Sequence, residues 1–130
     1  MRSVLNEDQF TPFGLWIRQY LRKSENGLSV TNLDYILEDF RNKKIMLLEE
    51  KQSKGSLGYA QRLTFKVVDQ CLCKIANDLN YEYWGFYVLQ FPLNANMPGP
   101  GMILNEKIIT SEQLVNHLNF IQKFCEPFKL

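Results

Sequence analysis

Histidine occurs once and cysteine three times in the 130 residues of this chain. A lone histidine, His117, leaves no partner for a histidine zinc pair or a Ser-His couple, and among Asn116, Asn119 and Gln122 it reads as a surface residue. Cys71, Cys73 and Cys125 are odd in number and form no CxxC pair, which argues against a disulfide framework and a cysteine zinc site. All three are expected to fill core or groove, Cys71 and Cys73 on different faces of one helix. No apolar run is long enough to span a bilayer, and residues 1–8 hold no signal-peptide core. The expectation is therefore an intracellular, cytoplasmic protein with no membrane partner. The net charge is only +1, so no global footprint of a polyanion-binding protein is present. Gly99-Pro100-Gly101 is not followed by Gly-Lys-Ser/Thr, so it reads as a connector rather than a phosphate loop.

What is present is apolar and aromatic content of 45% and 13%, enough for a real core in one domain spanning 1–130. Thr11-Pro12 opens a helix whose apolar residues Phe13, Trp16, Ile17, Tyr20 and Leu21 recur at helical spacing, with Trp16 and Ile17 expected in the core. Asn26-Gly27 is the expected stop. Leu28 to Asp39 reads as a strand, Phe40 to Lys43 as a hairpin turn, and Lys44 to Lys51 as a second strand. Leu57 to Leu79 carries a broad helical stripe, and Tyr81 to Phe91 is a β-branched and aromatic strand ended by Pro92. Met102 to Leu104 and Lys107 to Ile109 suggest a small hairpin. Thr110-Ser111-Glu112-Gln113 resembles a capping box before a helix carrying Leu114, Val115, Leu118, Ile121 and Phe124. The order α-β-β-α-β, then hairpin and helix, predicts an α/β (α+β) fold with a central mixed sheet flanked by helices. The helix from Leu57 is its crossover.

The first hairpin holds the chemistry. With a two-residue turn at Arg41-Asn42, residues whose numbers share one sum lie opposite each other, so Asp34 faces Glu49. Opposed residues share a sheet face with Cβ atoms about 4.5–5.5 Å apart, and Lys51, two further on, shares it too. A turn one residue longer sets Glu50 opposite Asp34 instead. Two carboxylates that close repel unless a cation lies between them, and oxygen donors without soft ligands favour magnesium or manganese. A lysine beside them is suited to orient a water or to stabilise charge on a phosphate. On spacing alone, the plainer reading is a surface acid pair with a neighbouring salt bridge. Bases gather in the first half of the chain, with Arg18, Lys54 and Arg62 the candidate nucleic-acid contacts, although an ordinary solvated face accounts for them equally well.

This arrangement resembles the PD-(D/E)XK nuclease superfamily, whose core is a helix, a hairpin bearing Asp and then Glu-x-Lys, a crossover helix and a further strand. The resemblance covers roughly residues 11 to 91, with the hairpin and helix of about 102–125 added. It matches Asp34 to the first acid and Glu49 and Lys51 to Glu-x-Lys. Gln61 matches a glutamine that some branches carry early in the crossover helix. Their aromatic partner, usually Tyr, is here Phe65, and Tyr59 is the nearest hydroxyl. Asn32-Leu33 replaces the usual apolar-Pro, and residues 12 to 24 lack the acid many members carry in the first helix. The resemblance implies a restriction-endonuclease-like core and a Mg²⁺-dependent deoxyribonuclease, an endonuclease of phage or resolvase-like size, with Mn²⁺ as substitute. Asp34 and Glu49 would hold the metal with the Glu50 carbonyl. Lys51 and Gln61 would complete the catalytic set, with Arg18, Ser29 or Thr31 near the cleft. The implied partner is double-stranded or branched DNA, cut by a homodimer joined through the strand Tyr81 to Phe91 or the last helix. The rivals are a catalytically inactive nuclease-fold protein with a nucleic-acid-binding or regulatory role, and an unrelated α+β interaction domain.

Overall fold

The computed structural model describes residues 11–21, 31–52 and 55–130. Two compact units are present, Met1–Asn32 and Leu33–Leu130. Among the described residues no helix is long and apolar enough to cross a membrane.

In the first unit, α1 spans Pro12–Tyr20. Thr11 caps it as expected, its Oγ1 accepting from Gly14 N at 3.0 Å, and Pro12 occupies the first turn, where a missing N–H costs nothing. The helix ends at Leu21, and Asn26-Gly27 lies outside the described residues. Trp16, expected in the core, is 47% exposed, and no residue of α1 is buried. It stacks instead along its own helix with Phe13 and Tyr20, at 5.8 and 5.3 Å between ring centroids.

The second unit is a mixed α+β layer structure. Its elements are β1 (Tyr35–Asp39), β2 (Lys44–Gln52), α2 (Tyr59–Ile75), a 3₁₀ turn (Asn77–Leu79), β3 (Glu82–Phe91), β4 (Ile103–Leu104), β5 (Lys107–Ile108) and α3 (Ser111–Leu118). The strands form one five-stranded sheet in chain order; β2 and β3 pair in parallel and the other pairs are antiparallel. The parallel pair needs a crossover, which α2 supplies. β1 is shorter than the sequence suggests: residues 31–33 carry no regular structure and Leu28 to Val30 lie outside the described residues. The turn leaves Tyr35 opposite Leu48 and Asp39 opposite Lys44. That register is the one expected for the turn at Arg41-Asn42, and the Asp39 carboxylate holds the turn by accepting from the backbone N–H of Arg41 and Asn42.

β2 is buried on both faces, so its residues divide by parity between two cores. Met46 and Leu48 join Trp84, Tyr87, Leu89 and Leu114 on the α3 side. Leu47 joins Phe65, Phe86 and Val88 on the α2 side. A bulge in β3 marks the change of register between Ile45–Tyr83 and Met46–Gly85. There Gly85 has φ +114°, and a Cβ on it would lie 2.5 Å from the Cβ of Pro127.

α3 is capped by Thr110 and Gln113 in the expected box but ends at Leu118, so Ile121 and Phe124 lie beyond it. His117 is not on the surface: it is fully buried, against the rings of Trp84 and Tyr87. Its Nδ1 accepts from Phe124 N at 2.9 Å, which fixes the imidazole as the neutral Nε2–H form. Burial, then the Lys123 ammonium, pushes its pKa down to about 4. Cys125 is buried as expected, whereas Cys71 and Cys73 are exposed, because α2 packs only one side on the sheet.

Candidate active site

Polarity enters β2 at Glu49, the first charged residue after four apolar ones. Its parity places it on the α2 face, and Asp34 sits just before the first residue of β1, one step beyond the Tyr35–Leu48 pair. Here the backbone and side chains interlock. Asp34 N donates to Glu49 Oε1 at 2.9 Å, and Glu50 N donates to Asp34 Oδ2 at 2.9 Å. The end of the β1–β2 ladder is thus closed by two carboxylates in place of carbonyls, which fixes both acids on the sheet framework.

The first turns of α2 complete the cluster. Gln61 Nε2 donates to Glu49 Oε2 at 3.1 Å, while its Oε1 accepts from Lys51 Nζ at 3.2 Å. Lys51 Nζ is 3.9 Å from Glu49 Oε2. An amide is suited to this bridge, because it presents N–H to the carboxylate and oxygen to the ammonium. Asp34, Glu49, Lys51 and Gln61, four residues singled out from the sequence, are therefore in one place. Phe65 is core, its ring 4.9 Å from that of Phe86, and Tyr59 is 79% exposed. Glu50 falls on the opposite parity, its carboxylate accepting from the Tyr35 hydroxyl at 3.1 Å, so only its backbone carbonyl is left to the Glu49 side.

Glu49 is 2% exposed, and its electrostatics follow from that. Burial pushes its pKa up to about 7; the Asp34 N–H opposes the rise, the nearby Asp34 carboxylate adds to it, and the Lys51 ammonium opposes it. A carboxylate raised that far is protonated in part at neutral pH, and a cation bound beside it would displace the proton. The donor set is all oxygen, so the only metal it would suit is a hard divalent ion such as Mg²⁺, for which Asp34, Glu49 and the Glu50 carbonyl are the candidate ligands. Among the described residues no group of three or more His, Cys, Asp or Glu side chains gathers to hold a metal, so water would fill most of the coordination shell.

Of the three candidate nucleic-acid contacts, Arg62 is exposed on α2, its guanidinium 5.3 Å from the Phe128 ring centroid. Arg18 is exposed on α1 in the first unit, and Lys54, like Ser29, lies outside the described residues. One supporting residue went unnoticed in the sequence. Gln90 is the β3 neighbour of Lys51, and its Nε2 donates to Gly55 O at 3.0 Å, tethering the loop that leads into α2 and hence Gln61. Its signal was a polar residue near the end of an apolar strand, at the same parity as Phe86 and Val88. No protein-family model, curated protein or solved structure matches the chain.

Proposed function

We propose that this chain is a metal-dependent nuclease of the PD-(D/E)XK type, hydrolysing DNA phosphodiester bonds at the Asp34–Glu49–Lys51–Gln61 cluster. The observation that carries the reading is the Gln61 bridge: one amide bonded both to the buried Glu49 carboxylate and to the Lys51 ammonium. A surface salt bridge needs no such third member, and it would not leave an acid 2% exposed beside a second carboxylate. In this reading the helix–hairpin–helix–strand order is a restriction-endonuclease-like core.

Asp34 and Glu49 are the acids that would hold Mg²⁺, which when bound would supply Lewis-acid polarisation of the phosphate and activation of the attacking water. Their hydrogen bonds to the backbone of the facing strand keep both carboxylates oriented before any ligand arrives. Lys51 places a positive charge where the pentacovalent phosphate gains negative charge, and its N–H groups orient the attacking water. Gln61 holds Lys51 and Glu49 in register and fixes which oxygen of Glu49 is engaged.

A second reading, a nuclease-fold protein that binds nucleic acid without cutting, is favoured by one feature: α1, Pro12–Tyr20, contains no acid. Incubation with linear, circular, branched and single-stranded DNA under Mg²⁺, Mn²⁺ or EDTA separates the two. Metal-dependent cleavage that Glu49→Ala abolishes is expected. Intact DNA in every lane, with binding retained, selects the second reading.

A further inference from the structure

Beyond Gln61, α2 presents a solvent face that the active-site cluster does not use. Arg62, Lys66, Gln70 and Lys74 recur every four residues and are all exposed. The only acid of the helix, Asp69, is half-buried, and its Oδ1 accepts from the Tyr83 hydroxyl at 2.6 Å. The outer face therefore carries positive charge alone. Along the helix axis Arg62 and Lys74 are about 18 Å apart, with steps of about 6 Å.

Interleaved with this ladder, one residue along, runs an apolar one. Tyr59 is 79% exposed, Leu63 48%, Val67 63% and Ile75 44%. A helix packed on a sheet through one side has no structural need for large apolar groups on the other. Charge and apolar surface side by side match the chemistry of an unpaired nucleic-acid strand, which offers phosphates along one edge and bases along the other. A duplex hides its bases, and so leaves Tyr59 and the aliphatic ladder without a partner.

We propose that the outer face of α2 is the binding track of a single-stranded nucleic acid. Its phosphates lie along Arg62, Lys66 and Lys74, and a base stacks on Tyr59. The track begins one residue after Gln61, so it delivers the strand to the active-site cluster. The inference rests on the nuclease reading and names the substrate class of that site, a single strand or the unpaired arm of a branched one.

Fluorescence anisotropy of an end-labelled oligonucleotide in EDTA tests it without cleavage. The wild-type chain is expected to bind a single strand at least ten-fold more tightly than a duplex of the same sequence. Lys66→Glu with Lys74→Glu should weaken single-strand binding by ten-fold or more. The slope of log affinity against log salt should flatten by about 1.4, two phosphate contacts at about 0.7 each. Tyr59→Ala should weaken binding about ten-fold through lost stacking. All three residues are exposed, so thermal melts should stay at the wild-type midpoint; if the reversal lowers it, Lys66→Ala with Lys74→Ala takes its place. Wild-type affinity in the lysine variants, preference for duplex, or no binding at all would overturn the proposal. So would a wild-type dimer in sedimentation that Val67→Glu dissociates, since the apolar ladder would then face a second copy of the chain. Lysine-dependent strand binding without any cleavage sinks the nuclease and keeps the track. Cleavage of single strands untouched by the lysine changes sinks the track and keeps the nuclease.

Discussion

Among the described residues Glu49 and His117 are the two buried polar or charged side chains, one on each face of the sheet, and they pull the pH dependence in opposite directions. The Glu49 carboxyl titrates near 7 in the fold against 4.5 in the open chain. The fold therefore holds the extra proton, and the contribution of Glu49, complete below 4.5, is lost as pH rises towards 7. His117 titrates near 4 against 6.5, so the open chain holds the extra proton and stability grows as pH rises from 4 to 6.5. The two windows overlap, and the wild-type chain in EDTA should show a shallow profile there. Glu49→Gln keeps the shape and one of the two hydrogen bonds that the carboxylate accepts, from Asp34 N or Gln61 Nε2, and removes the titration. It should be more stable than wild type at pH 8, and it should lose stability steeply between pH 6.5 and 4 because His117 is then unopposed. Urea denaturation across that range measures both, and a Glu49→Gln profile parallel to wild type would contradict the assignment. At the same scale, Lys51→Ala removes a side chain that is 16% exposed and whose ammonium is bonded to Gln61. If the chain is the nuclease proposed above, this change should abolish cleavage while leaving the fold intact, read by activity beside circular dichroism; cutting at the wild-type rate would remove Lys51 from its role.

At the scale of elements, the sequence carried what depends on local patterning. The hairpin register was narrowed to two pairings, with Glu49 or Glu50 opposite Asp34 according to the turn length, and the structure takes the one that brings Asp34 to Glu49. Gln61 was legible only through a likeness, since nothing local says which face of a helix meets an acid. The end of α3 was not legible: Ile121 and Phe124 continue the apolar spacing, yet the chain leaves the helix with Phe120 at φ +59° and returns Phe124 N to His117. A buried imidazole needing a donor outweighs one more helical turn, and no periodicity reports that need. The need for glycine at the Gly85 bulge was equally hidden, because Pro127, whose ring would meet a Cβ there, lies 42 residues later. Gly85→Ala meets both a left-handed backbone and the proline ring. It should cost about 1–3 kcal/mol from the backbone alone, with the clash added, seen as a lower urea midpoint. A loss no larger than the backbone cost would mean that the 126–130 segment does not press on β3.

For the sheet unit as a whole, that last segment joins two cores that the sheet otherwise keeps apart. Cys125 belongs to the core under α3, whereas Phe128 and Leu130 pack into the core under α2. Between them, Glu126 O accepts from Asn105 Nδ2, and Phe128 N donates to Phe86 O at 2.7 Å, covering the β3 edge that short β4 leaves unpaired. Phe128 also stands edge-on to Phe86 and beneath the Arg62 guanidinium, so it supports the start of α2, where Gln61 holds the acid and the lysine. Removing that ring should act in two places. Phe128→Ala is expected to cost about 2–3 kcal/mol, below the range for a fully buried ring because Phe128 is only half-buried. It should also speed hydrogen exchange in the first turns of α2 more than in α3, since only α2 leans on this ring. Equal acceleration in both helices would show that the segment stabilises the unit generally. Acceleration confined to α2 would tie the last residues of the chain to the geometry of the Gln61 bridge.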